Sequence, residues 1–125
     1  MKGEDIKIRC ESIAVRVIKL VYHLPDNYPS HAICQQIVRA ASSVGANYRA
    51  ACRSKSRKDF INKLKIVEEE LDETIYWLQL IGTTELLKKD RLKSLIDEAN
   101  ELLSIIVVSI VTARKNERAK NKKQT

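Results

Sequence analysis

The chain has 125 residues, 44% of them hydrophobic and 31% charged, which is the size and make-up of one globular domain. Three Gly and two Pro are too few for the turns of an all-β sandwich or barrel, and too few glycines for the phosphate turns of a Rossmann domain or P-loop. With 23 basic residues against 16 acidic ones the net charge is +7, so the expected molecule is small, helical and basic.

Apolar residues recur at three- and four-residue steps from end to end. Ile6, Cys10, Ile13, Val17, Leu20, Val21 and Leu24 trace a first amphipathic helix, which Pro25 and Pro29 stop because proline lacks a backbone donor. Ser30 is the expected N-cap of a second helix with the stripe Ile33, Ile37, Ala40, Ala41, Val44, Tyr48 and Ala51. Gly45 inside it costs about 1 kcal/mol against Ala, a loss that close approach of a neighbouring helix would offset. After the basic link Arg53-Ser54-Lys55, Ser56 and Asp59 have the spacing of a capping box. The third stripe is Phe60, Leu64, Val67, Leu71, Thr74, Leu78 and Ile81, and Gly82-Thr83-Thr84 reads as its C-terminal stop. From Asp90 the fourth stripe runs Leu92, Leu95, Ile96, Ala99, Leu102, Leu103, Ile106, Ile110 and Ala113.

Short connections make neighbouring helices antiparallel. The expected fold is all-α, an up-down-up-down four-helix bundle over residues 1–115, followed by a basic tail over 116–125 that is expected to be disordered. The first and fourth helices carry more apolar residues than a lone bundle can bury, Val15 and Ile18 on one and Ile105, Val108 and Val111 on the other. Contiguous exposed apolar patches are uncommon on soluble monomers, so these five residues are expected to form an interface between copies of the chain.

Charge falls into blocks. Residues 49–65 carry Arg49, Arg53, Lys55, Arg57, Lys58, Lys63 and Lys65 against Asp59 alone, and the last twelve residues carry six basic groups against Glu117. Antiparallel topology puts the turn between helices two and three at the same end as the start of helix one and the end of helix four. Two separate charge runs then become one basic pole, the footprint of a phosphate-binding surface. Arg49, Arg53, Lys55, Arg57 and Lys58 are the expected contacts to RNA or DNA backbone, with Arg114, Lys115 and Arg118 adding charge from the tail. Tyr48 is the one aromatic nearby and holds a core position, so base stacking has no support. The rival reading is a scaffold for an acidic or polymerase-like protein partner.

The acidic run Glu68-Glu69-Glu70-Leu71-Asp72-Glu73 lacks the Glu-x-x-His motif of a di-iron bundle, so it reads as a solvated or ion-paired face and no metal or cofactor is expected. The short second turn predicts that Arg39 lies abreast of Glu70 in a helix-bridging ion pair, and Asn47 abreast of Asn62. No GxSxG or HExxH motif and no Cys–His pairing is present, and the expected protein is not an enzyme. Cys10, Cys34 and Cys52 have neither CxxC nor zinc spacing and read as buried free thiols in a reducing cytosol. The longest apolar stretch, 102–113, falls short of the roughly 20 residues needed to span a bilayer, and the N-terminus lacks a signal-peptide core. A cytoplasmic protein without membrane contact is the expectation.

The run from Gln36 to Asn47 (QIVRAASSVGAN), then Arg53 to Ser56, Asp59-Phe60 and Leu64 to Glu73, resembles the bacterial four-helix bundle proteins encoded by intervening sequences in large-subunit ribosomal RNA genes. The resemblance spans roughly residues 5 to 115. Many relatives carry Ala-Glu-Gly after the Ala-Asn pair, where this chain has Tyr48-Arg49-Ala50-Ala51-Cys52, a positive charge in place of a carboxylate. The resemblance implies an up-down bundle assembled as a ring-shaped homopentamer. The chain is also similar to the accessory variability proteins of diversity-generating retroelements, which implies association with nucleic acid and a reverse transcriptase.

Overall fold

The computed structural model describes residues 3–124, with side chains through Lys122. Four helices follow one another: α1 (Gly3–Val21), α2 (Tyr28–Cys52), α3 (Arg57–Thr83) and α4 (Lys89–Gln124). Consecutive helices pack side by side, and α1 lies against α4 to close an antiparallel bundle. The expected stripes form the core. Ile13, Ile37, Leu64, Leu71, Leu78, Leu102 and Ile106 are fully buried, and one turn of α3 is shifted so that Ile61 rather than Phe60 faces inward. Removing a side chain such as Leu71 from this core would cost about 2–5 kcal/mol.

Local chemistry sets the helix ends. Asn27, not Ser30, caps α2: its Oδ1 accepts the Ser30 N–H at 2.9 Å, and Pro29 sits in the first turn, where a missing N–H leaves no bond unmade. Ser56 caps α3 as expected, accepting the Asp59 N–H at 3.0 Å. Gly82 is not the stop of α3. It lies inside the helix, and the left-handed residue that ends it is Glu85, with φ 61°. The Leu86 N–H reaches the Ile81 carbonyl and the Glu85 N–H the Gly82 carbonyl, both at 3.1 Å, in the pattern of a Schellman cap.

The expected tail boundary near 115 has no structural counterpart. The helix continues through 116–124, because Lys89 to Gln124 holds neither Gly nor Pro and its last turns are rich in helix-forming Lys, Arg and Ala. Met1, Lys2 and Thr125, which belonged to the expected bundle and tail, lie outside the described residues. With 36 residues α4 is about 54 Å long and outruns its neighbours. Arg9 pairs with Glu98 at 2.7 Å and with Glu101 at 3.4 Å, and Arg16 donates to Ser94 Oγ at 3.0 Å. Carried on in that antiparallel register, α1 reaches Gly3, its first described residue, near Val107, and Ile6 lines one cleft with Ile105 and Val108. No helix among the described residues is long and apolar enough to cross a membrane.

Candidate nucleic-acid interface

Residues 53–56 make a tight link between α2 and α3. The Arg53 N–H bonds to the Ala50 carbonyl at 3.1 Å, and the Ser54 N–H to the Ala51 carbonyl at 3.0 Å. Both ends of the link are thus held, by these backbone bonds, by the Ser54 hydroxyl donating to the Ala50 carbonyl at 3.3 Å, and by the Ser56 cap. Arg53, Lys55, Arg57 and Lys58 are exposed there, and Arg49 is exposed one turn earlier on α2.

The antiparallel deduction about α4 has a direct contact behind it. Arg57 Nη1 lies 3.8 Å from Glu117 Oε2, which sets the link of α2 and α3 beside the distal part of α4. A Cβ added to Gly3 would sit 3.6 Å from Tyr48 Oη, which sets the start of α1 beside the last turns of α2. Arg114, Lys115 and Arg118 are exposed on α4 at this end. The structure therefore brings all eight basic residues to one end of the bundle. Among the described residues, seven of them have no ion-pair partner. Arg57 is the exception, held by Glu117, whose Oε2 is buried with no hydrogen bond. Glu4, Asp5 and Asp59 also stand near this end, so the pole is mixed in sign with an excess of cations.

Tyr48 and Cys10 are buried beneath the pole; of the three thiols expected to be buried, Cys34 is half-buried and Cys52 exposed, because they stand off the core stripe of α2. Burial pushes the Cys10 thiol up to about 12, with Cys52 adding to the rise, and burial raises the Tyr48 phenol above its ordinary value, again helped by Cys52. Cys10 and Tyr48 stay protonated at neutral pH and add no negative charge under the cations. Tyr48 is thus core, as its place in the α2 stripe implies, and Phe60, in the first turn of α3, is half-buried against the core.

Elsewhere, Arg39 meets Glu70 at 3.2 Å as the register predicts, and it also binds Glu73, which accepts from Trp77 Nε1 at 3.1 Å. Glu73 first, then Glu70, holds the guanidinium protonated by raising its pKa. Asn47 donates its side-chain amide to the Ser43 carbonyl within its own helix. Of the five expected interface residues, Val108 and Val111 are 63% and 58% exposed, Val15 and Ile18 each 41%, and Ile105 is half-buried. Sequence reasoning missed Ile8, 61% exposed, and Val107. Ile8 sits seven residues before Val15, on the same face of α1, and that spacing was the available signal.

The chain matches the family model described as 23S rRNA-intervening sequence protein over residues 4–108. It is similar to a solved structure titled as a protein with unknown function from the S23 ribosomal protein family of Bacteroides thetaiotaomicron. The two share 34% identity and superpose with a TM-score of 0.78, covering 84% of this chain and 97% of the other. No match was found among curated proteins. With the family match covering most of the chain and the bundle shared with that neighbour, this chain belongs to the family of 23S rRNA-intervening sequence proteins.

Proposed function

We propose that this chain is a non-catalytic, ring-forming bundle that holds the backbone of RNA or DNA at its basic end; the number of copies implied by the family resemblance is five. The observation that carries this reading is the convergence of the α2–α3 link and distal α4 at one end, where Arg49, Arg53, Lys55, Lys58, Arg114, Lys115 and Arg118 are exposed without ion pairs among the described residues. Cations that are not neutralised within the chain are the ones that release counterions from a phosphate backbone. The matched family is itself named for a sequence within 23S rRNA, which favours a structured RNA as the first ligand to try.

The test is fluorescence anisotropy of labelled structured RNA and duplex DNA, comparing the wild type with a variant carrying Arg49, Arg53, Lys55 and Lys58 all as Ala. Arg57 is left in place because it neutralises Glu117 at the α3–α4 seam. Loss of about tenfold or more in affinity, from a variant whose helicity and assembly match the wild type, is the expected result. Equal affinities would remove the basic end from the account, and absence of binding at low salt would turn the search to a protein partner.

A further inference from the structure

A second set of cations stands at the end of the bundle opposite the basic end. Arg16, Lys19, Leu20 and His23 follow one another at three- and four-residue steps, which puts them on one side of α1 and of the turn that follows it. Arg91 and Leu95, one turn apart at the start of α4, face them across a cleft of about 220 Å³. Leu20 and Leu95 make its apolar floor, half-buried and buried, and the walls are Arg16, Lys19, His23 and Arg91.

No described carboxylate lines this cleft. Asp90 lines the two neighbouring clefts instead, and the other acids nearby are engaged: Glu98 and Glu101 by Arg9, Asp97 by Lys93 at 2.7 Å. Lys19, His23 and Arg91 have no ion pair among the described residues. Arg16 is half-buried and fixed across the seam, since one terminal nitrogen donates to Ser94 Oγ at 3.0 Å. A guanidinium carries five N–H donors, so that bond leaves Arg16 donors to spare, and the His23 imidazole offers an N–H in either charge state. The first turn of α4 adds the partial positive charge of a helix N-terminus.

We propose that this cleft is a phosphate-binding site, separate from the basic end and about 20–30 Å from it along α1. Two guanidiniums, an ammonium and an imidazole around one small opening suit the several oxygens and the double negative charge of a phosphate monoester, and the guanidinium fork pairs with phosphate two oxygens at a time. A carboxylate has two oxygens and one charge and would leave half of these donors unused. The cleft has room for a phosphate group and the carbon that carries it, not for a duplex. Its ligand is therefore a free phosphorylated solute or the phosphorylated end of a strand. The site does not depend on the reading of the basic end, because the two share no residue.

The test is ³¹P NMR of inorganic phosphate titrated onto the full chain in chloride at fixed ionic strength. The basic-end variant (Arg49, Arg53, Lys55 and Lys58 as Ala) is expected to keep saturable binding of one phosphate per chain. Lys19→Gln with Arg91→Gln replaces two exposed residues, spares the Arg16–Ser94 bond, and should weaken that binding about tenfold or more, with circular dichroism checking the fold. Broadening that never saturates in the basic-end variant, or equal binding by the cleft variant and the wild type, would overturn the site whatever RNA does at the basic end. Fluorescence anisotropy of a short single-stranded RNA labelled at its 3′ end, with and without a 5′-phosphate, then identifies the source. A preference for the phosphorylated strand that the cleft variant loses assigns the site to strand ends. Saturable phosphate binding without that preference assigns it to a free phosphorylated solute.

Discussion

Glu117 has an odd position for a carboxylate, with one oxygen buried, no hydrogen bond, and the Arg57 guanidinium 3.8 Å away as its charged neighbour. Its substitution separates stability from binding. Glu117→Gln removes a negative charge from the basic end and releases Arg57, so affinity for nucleic acid is expected to rise several-fold at low salt, and the gain should vanish at high salt. Glu85 offers a cleaner stability test. A non-glycine residue in the left-handed region costs about 1–2 kcal/mol, so Glu85→Gly is expected to raise unfolding free energy by about 0.5–1 kcal/mol in a urea titration. Gly45 behaves oppositely to its first reading as an enforced close approach. A Cβ there would meet Cys10 Cβ at 3.6 Å, an ordinary contact, so Gly45→Ala should be neutral or stabilising by up to about 1 kcal/mol. At Gly82, where a Cβ would come 3.1 Å from Leu92 Cδ1 in a buried side chain, the same substitution should destabilise. The Cys10 thiol makes a pH prediction. Its pKa rises from 9.0 to about 12 on folding, so the stability tied to its neutral form is complete below pH 9 and is lost as pH climbs toward 12. Tyr48 shifts in the same direction, and thermal midpoints should fall steadily above pH 9. Cys52, exposed, should alkylate in the native protein while Cys10 does not.

At the scale of the element, the helices were legible because their stripes repeat over four or more turns, and a long period is hard to mistake. Every residue of the α2 stripe from Ile33 to Ala51 is buried. Ends were harder, since a cap is decided by one side chain among several candidates. Asn27 and Ser30 both accept backbone hydrogen bonds well, and the choice fell to Asn27 because Pro29 fits the first turn of the helix it opens. The α3 stop was missed because Glu85 adopts a conformation that composition assigns to glycine, and Gly82, three residues earlier, drew the assignment instead. The ion pair of Arg39 with Glu70 was predictable from a short turn, which fixes register by arithmetic. Arg9 with Glu98 and Glu101 was not, because α1 and α4 are joined through the whole rest of the chain. The reach of α4 was underestimated for a physical reason. Charge-rich sequence reads as tail, yet Lys, Arg, Glu and Ala are also good helix formers and nothing in 114–124 breaks the helix. Removing residues 118–125 should therefore leave the thermal midpoint within a few degrees, since the described part of this stretch, 118–124, lies beyond the start of α3, and should weaken nucleic-acid binding.

For the whole molecule, the distribution of charge and of exposed apolar surface makes one arrangement. The basic end collects cations from α2, the link and α4, while the Glu68 to Glu73 run lies along α3, with Glu70 and Glu73 engaged by Arg39. In the proposed ring the basic ends lie on one side, where phosphate contacts from several copies add. How a site reads from sequence depends here on topology more than on motif: residues 49–58 and 114–118 carry no signature, and antiparallel order alone brings them together. The salt dependence of binding tests this most directly. The wild type should be titrated onto structured RNA from 50 to 200 mM salt, reading the slope of log K against log salt. If about five cations reach phosphates, the slope should be about −4 or steeper, and the Arg49, Arg53, Lys55 and Lys58 variant should flatten it by about three. A slope near zero, or one that the variant leaves unchanged, would contradict phosphate binding at the basic end.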